Sequence, residues 1–375
     1  MMNDTQVPLA DSYEGLYSRV QSALASRNVE EAIALYRRLV DRLGRLTARV
    51  LEHRPELRNM HRAARMELSL LLRREARYSE AIDVVTVLLD SHPEEARMWR
   101  REIATLHVAR GDVESGLADL RALAEEAPDE AVGWLTMGQA ARIEGRFAMA
   151  GEALDRALEV CRRTSCPDLA RIHHERFDLF RATGQMNEAL AAWEEAAAGD
   201  EEIRKGIGEV AAMLADAGRY GEARAFANRD PNPMRAGLQR GHIDSLIGNV
   251  GEARKEWRRV ADLDPNAFEY GHEAWVEAVL RLGDPVPALE WLQDALRERY
   301  SIRLLILSGV GWAMYGDAEV AATLFQQAIG LLRYQRPPKK KLDSSDWRLL
   351  DSLVTNEEIK KALKPYFAVV ETLWR

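Results

Sequence analysis

Residues 134–157 read Trp134-Leu-Thr-Met137-Gly138-Gln-Ala-Ala141-Arg-Ile-Glu-Gly145-Arg-Phe147-Ala-Met-Ala150-Gly-Glu-Ala-Leu154-Asp-Arg-Ala157. On both sides of Gly145, apolar and small residues recur three and four positions apart, the spacing of one helix face. Gly145 supplies a backbone turn that side-chain-bearing residues resist. The stretch therefore predicts two amphipathic helices of about 12 residues folded back on one another. One such hairpin cannot bury its apolar face, whereas a second stacked on it can, so the pattern asks for repetition.

The repetition is there. Glycine followed by a polar or charged residue recurs at Gly111-Asp112, Gly184-Gln185, Gly218-Arg219, Gly248-Asn249, Gly283-Asp284 and Gly316-Asp317, and Ala76-Arg77 holds the same slot upstream. From Ala76 to Gly316 there are seven steps of about 34 residues each. A small residue stands at a fixed distance beyond each turn: Ala81, Gly116, Ala150, Ala189, Ala223, Ala253, Ala288 and Ala321. Close crossing of two helices needs it. One helical turn further comes Val85, Leu120, Leu154, Trp193, Ala227, Trp257, Leu292 or Phe325, and Pro93, Pro128 and Pro265 stand where the second helix must stop.

In these residues the chain resembles the tetratricopeptide repeat family, and the unit from Trp134 to Ala157 matches its Trp, Leu-Gly, Tyr, Ala, Phe, Ala series almost place for place. The resemblance covers roughly residues 12 to 332 and implies an all-α fold, a right-handed α-solenoid of about nine hairpins with C-terminal capping helices. Expected segments are an irregular N-terminal helical region with one divergent repeat over 1–60, a regular array over 61–332, a Pro/Lys linker over 333–343 and capping helices over 344–375. In the first unit the second helix is expected to run on through Leu51 before Pro55. The step from Gly145 to Gly184 is long, 39 residues, with the excess near Cys161 to Pro167, and the step from Gly218 to Gly248 is short, 30 residues. The last helix is expected to start with a capping box, Thr355 with Glu358, and to end in Tyr366, Phe367, Val369, Val370, Leu373 and Trp374 despite Pro365.

Composition narrows the function. With 47% hydrophobic and 30% charged residues the chain can bury a core, and its net charge of −8 argues against a whole-protein footprint for nucleic acid or anionic lipid. Met1 to Glu14 has no basic or apolar run of a signal peptide. Leu304 to Gly316 is uncharged but falls short of the roughly 20 residues that span a bilayer, which predicts a buried helix. Two cysteines suit a reducing compartment, so a cytoplasmic location is expected.

In the resembling family the first helix of each unit lines a concave, ligand-binding face. Counted back from each turn, the lining positions in the middle of the chain are Arg73, Arg74, Arg101, Arg142, Arg171, His174, Asp178 and Arg181, among Glu67, Glu102 and Glu175. Guanidinium forks pair carboxylates bidentately, so a row of them suits an acidic or C-terminal-carboxylate segment; ion pairs within the chain would explain the same row. The Lys and Asn with which some family members grip a chaperone's carboxylate are replaced here by Met66, Leu70, Glu102, Val132 and Thr136, which disfavours that role.

Cys161, Cys166, His173 and His174 lie within 14 residues, and thiolates with imidazole are what a tetrahedral zinc ion uses. A site of Cys161, Cys166 and His173 is thus a weak alternative to packing. No phosphate-cradling loop, nucleophile elbow or metalloprotease motif occurs, so no catalytic residue, enzyme activity or cofactor is expected. The Lys339–Lys341 run beside Pro337 and Pro338 reads as a solubilising linker. The expected function is a scaffold or adaptor that binds a protein or peptide in its groove, without nucleic acid or membrane. The alternative is a peptide-sensing regulator with output through the N-terminal helical region, and self-association through an uncapped end stays open.

Overall fold

Helices dominate the computed structural model, which describes residues 13–26, 28–164, 166–298, 301–332 and 340–368. The chain divides into two compact units, Met1–Ala189 and Leu190–Arg375. Among the described residues the β-structure is a single isolated bridge between Leu342 and Phe367.

Unit 1 contains α1 (Tyr13–Ala25), α2 (Val29–Gly44), α3 (Ala48–His53), α4 (Pro55–Arg74), α5 (Tyr78–Ser91), α6 (Ala96–Arg110), α7 (Val113–Glu126), α8 (Ala131–Ile143), α9 (Phe147–Thr164) and α10 (Leu169–Ala182), and the unit boundary falls within α11 (Met186–Gly199). Unit 2 continues with α12 (Glu201–Lys205), α13 (Ile207–Asp216), α14 (Tyr220–Arg229), α15 (Pro233–Leu246), α16 (Val250–Ala261), α17 (His272–Leu282), α18 (Val286–Glu298), α19 (Ile302–Tyr315), α20 (Ala318–Leu332), α21 (Ser344–Leu353) and α22 (Glu357–Leu363). The hairpins α1/α2, α4/α5, α6/α7 and α8/α9 in unit 1 and α13/α14, α15/α16, α17/α18 and α19/α20 in unit 2 make eight among the described residues, while α10 lies in unit 1 and α11 runs across the unit boundary; the all-α repeat pattern is the expected one.

The turns explain the pattern. All seven turn glycines from Gly111 to Gly316 have φ between 71° and 114°, and Ala76, in the slot without glycine, is driven to φ 55°. The small residue after each turn is buried where two helices cross. At Gly116 the crossing is so close that a Cβ would lie 2.6 Å from Val108 Cγ2 and 2.8 Å from the Ala104 carbonyl oxygen. Leu16, Val20, Leu39, Leu68, Leu88 and Leu106 belong to one core cluster of unit 1, and Leu120, Leu135, Leu154 and Ile172 to the next. In unit 2 a continuous core runs from Met234 to Phe367. Within it α19 is buried over Leu304–Gly311, as its uncharged sequence predicts.

Some expectations are corrected. The second helix of the first unit stops at Gly44 and does not run through Leu51; Thr47 starts the separate α3 by accepting from the Val50 N–H. The cap of α22 is Asn356, whose side chain accepts from the N–H groups of Glu358 and Ile359, so Thr355 is not the capping residue. The capping box lies one helix earlier, on Asp343 and Asp346 of α21. Pro365 does end α22: a single 3-10 turn, Lys364–Tyr366, leads into extended Phe367. Val369, Val370, Leu373 and Trp374, like Pro337, Pro338 and Lys339 of the linker, lie outside the described residues.

The 39-residue step is taken up by α9, 18 residues long, and by the link after it, where Cys161 and Cys166 are joined as a disulfide with Cα atoms 4.8 Å apart. Two sulfurs bonded to each other offer no thiolate to zinc, so the Cys161, Cys166, His173 alternative is corrected. The cysteine count then gives no argument for a reducing compartment. Among the described residues no group of three His, Cys, Asp or Glu is placed to hold a metal ion, and no helix is long and apolar enough to cross a membrane.

Candidate functional site

In unit 1 the first helices α4, α6 and α8 wall a cleft of about 300 Å³. Of the predicted lining residues Arg73 and Arg101 line this cleft, together with Met66, Leu70, Met98, Glu102 and Thr136. The cleft also reaches Val85 and Leu88 of α5, buried core residues of a second helix. A groove wall alone would not extend so deep. Leu70 is 41% exposed in this cleft, and Trp99, only 3% exposed, completes its lining.

The predicted arginines are of two kinds. Arg73 donates to Glu102 at 3.2 Å. Arg142 reaches Glu175 at 2.8 Å and Asp178 at 3.3 Å, with all three side chains largely shielded. Asp178 also receives Arg181 at 3.0 Å, and the Arg181 guanidinium stands over the Phe177 ring at 5.4 Å. Arg171 pairs with Asp168 at 2.7 Å at the exposed start of α10. These groups hold the hairpins' own carboxylates. Arg74 is exposed and outside the cleft lining, and the His174 ring lies 6.1 Å from that of Phe177.

Arg101 differs. It makes no ion pair among the described residues, and burial, opposed by the nearby Glu130 and Glu102, pulls its guanidinium below the ordinary arginine value. Its neighbours are committed elsewhere: Glu102 accepts from Arg73, Arg97 pairs with Glu130, and Asp168 receives Arg171. Arg101 also lines a second depression of about 550 Å³ with Met98 and Val132, whose rim carries Glu94, Glu95, Glu126 and Glu130 beside Arg97 and Arg100. Of the predicted lining residues, Arg101 is thus the half-buried cation whose charge the fold does not balance with an ion pair.

Unit 2 has a groove that the residue list above did not include. Two clefts of about 420 and 430 Å³ share Ala212, Leu238, Gln239, Glu277 and Arg303. Burial pushes the Glu277 carboxyl up, but Arg281 and Arg303 outweigh it and hold it down at about 2. Arg281 donates to Glu277 at 2.7 Å, and Arg303 bridges Glu277 at 2.6 Å and Asp346 of α21 at 2.8 Å. This network ties α17, α19 and α21 together and leaves little charge for a partner. The signal was present in the sequence: Gln239 lies nine residues before Gly248 and Glu277 six before Gly283, the offsets of Glu102 from Gly111 and of Asp178 from Gly184.

Residues 17–96 and 101–167 match the tetratricopeptide repeat family. No curated protein matches the chain. Solved structures that resemble it include a tetratricopeptide repeat protein from Parabacteroides merdae, with 15% identity over 94% of this chain and 98% of that one at a TM-score of 0.34. Yeast Tom70 has 12% identity over 92% of this chain and 82% of its own at 0.47. The human IFIT1 dimer with m7Gppp-AAAA has 14% identity over 81% and 68% at 0.43. Likeness at this level carries no argument about what is bound. Over residues 17–96 and 101–167, where hairpins turn at spaced glycines and cross at buried small residues, the chain thus carries tetratricopeptide repeats.

Proposed function

We propose that the chain is a binding scaffold without chemistry of its own, holding a protein or peptide segment of acidic character in the unit 1 groove. One observation carries this reading. Arg101 is a half-buried guanidinium in a cleft, with no ion pair among the described residues, in a protein whose net charge is −8. A fold does not gain stability by desolvating an unpaired cation, whereas a partner's carboxylate would complete it.

The test is affinity capture from native lysate with mass spectrometry, comparing the wild-type chain with Arg101→Glu and Arg171→Glu, each checked for helicity by circular dichroism. A partner held by wild type and by Arg171→Glu but lost from Arg101→Glu supports the reading. Partners that survive the Arg101 reversal overturn the groove assignment, as does capture of none by any of the three.

A further inference from the structure

The unit 1 cleft combines three features that a merely polar groove would not. It penetrates between α4 and α6 as far as Val85 and Leu88 of α5. Its mouth carries Met66, Leu70 and Met98, flexible or exposed apolar side chains that can close over an apolar guest. Its wall includes the Trp99 indole, whose N–H is sealed from water and has no acceptor. The far side is fixed: Gln139 and Arg142 both donate to Glu175, at 2.8 and 2.9 Å. Beside the apolar mouth stands Arg101.

We propose that this cleft is an anchor pocket for one large aliphatic side chain, Leu or Met, on a segment that also carries an acidic residue for Arg101. The proposal rests on the scaffold reading above and specifies its ligand. Charge complementarity selects the acidic residue, and the depth of the cleft selects a bulky apolar neighbour over a wholly polar acidic stretch. A cleft of about 300 Å³ has room for such a side chain. Affinity concentrates where a buried anchor fills a desolvated pocket and a ring of polar contacts excludes water.

The experiment uses the full chain and an array of nine-residue peptides of Gly, Ser and Ala carrying one Leu and one Asp in either order, one to four positions apart. Matched peptides replace Leu by Ala, Asp by Asn, or Asp by Lys, and affinities are read by fluorescence anisotropy. The expected result is at least one Leu–Asp spacing that binds, with about tenfold loss for Leu→Ala, the scale of removing a buried aliphatic side chain, and a comparable loss for Asp→Asn. Arg101→Glu should move the preference to the Lys peptide, and the exposed Leu70→Asn should weaken the dependence on Leu. Affinity indifferent to Leu→Ala, or a charge preference unchanged in Arg101→Glu, overturns the pocket. If lysate capture is lost in Arg101→Glu while no array peptide shows dependence on Leu, the groove reading stands and the anchor pocket falls. If both experiments are indifferent to Arg101, both fall.

Discussion

At the scale of single residues, the turn of the α4/α5 hairpin is a natural test of why this chain repeats a glycine. Ala76 occupies the left-handed region at φ 55°, where a Cβ crowds the backbone at a cost of about 1–2 kcal/mol. Ala76→Gly removes that strain and gives back some chain entropy, so stability should rise by about 0.5–1 kcal/mol, read as a higher unfolding midpoint in urea. An unchanged or lower midpoint would mean that the turn is held by more than its φ. A second residue responds to pH. Burial, with Arg65 and His92 beside it, pulls the His61 pKa from 6.5 to about 4. Arg65 is itself 4% exposed, and its Nε has no hydrogen-bond partner. His92 is likewise lowered by burial, with Glu94 opposing, and Arg58 and Glu95 complete the charges around the pair. A lowered histidine is held neutral by the fold, and the unfolded chain takes the proton first. His61 therefore costs nothing above pH 6.5, and stability falls as pH drops from 6.5 towards 4, by up to about 1.4 kcal/mol per unit from this one group. Melting temperatures of wild type and His61→Gln should converge at pH 7 in slope and diverge below 6, with the variant less acid-sensitive.

At the scale of elements, the question is which groove arginines build hairpins and which meet a partner. Arg142 on α8 joins Glu175 and Asp178 on α10, with side chains 19%, 11% and 17% exposed. Removing it leaves the shielded Glu175 carboxylate with Gln139 but no cation and Asp178 with Arg181 alone, so Arg142→Ala should cost about 1–3 kcal/mol. Arg171→Ala breaks an exposed pair and should stay within about 0.5 kcal/mol of wild type. Equal effects on chemical denaturation would refute the division. Sequence could place Arg73 and Arg101 on the sides of their helices that line the cleft, because helical period and distance from the turn fix direction. It could not sort them, since pairing depends on which carboxylate of the next hairpin lies opposite. That Glu175 faces both Gln139 and Arg142 is decided by stacking between hairpins. Helix ends were legible where proline or glycine stood and shifted where two cap residues adjoined, as with Thr355 and Asn356. The unit 2 groove obeys the same offsets as unit 1, yet its residues form an ion-pair network that period alone does not distinguish from a binding surface.

At the scale of the whole molecule, a stack of hairpins is stabilised by neighbour-to-neighbour contacts and is weakest where a neighbour is missing. In unit 2 the described residues beyond α20 pack onto the same core. Leu342 donates its N–H to the Tyr366 carbonyl at 2.9 Å and accepts from Ala368 at 2.8 Å, pinning the strand-like ends of the cap to each other. That brings Phe367, 1% exposed, edge-on to Phe325 of α20 with centroids 5.0 Å apart, and 5.5 Å from Trp347 of α21. Phe367→Ala deletes the ring that three elements share, at a cost of about 3–5 kcal/mol for a buried phenylalanine. In a molecule built from neighbour contacts this loss stays local: amide hydrogen exchange should accelerate across α19 to α22 while α1 to α5 keep wild-type protection. Uniform acceleration across both regions would show instead that the hairpins unfold as one cooperative body. Local acceleration would mean that the groove of unit 1 keeps its shape whatever happens at the cap, so the Arg101 cleft could be tested for binding even in a variant whose C-terminal cap has loosened.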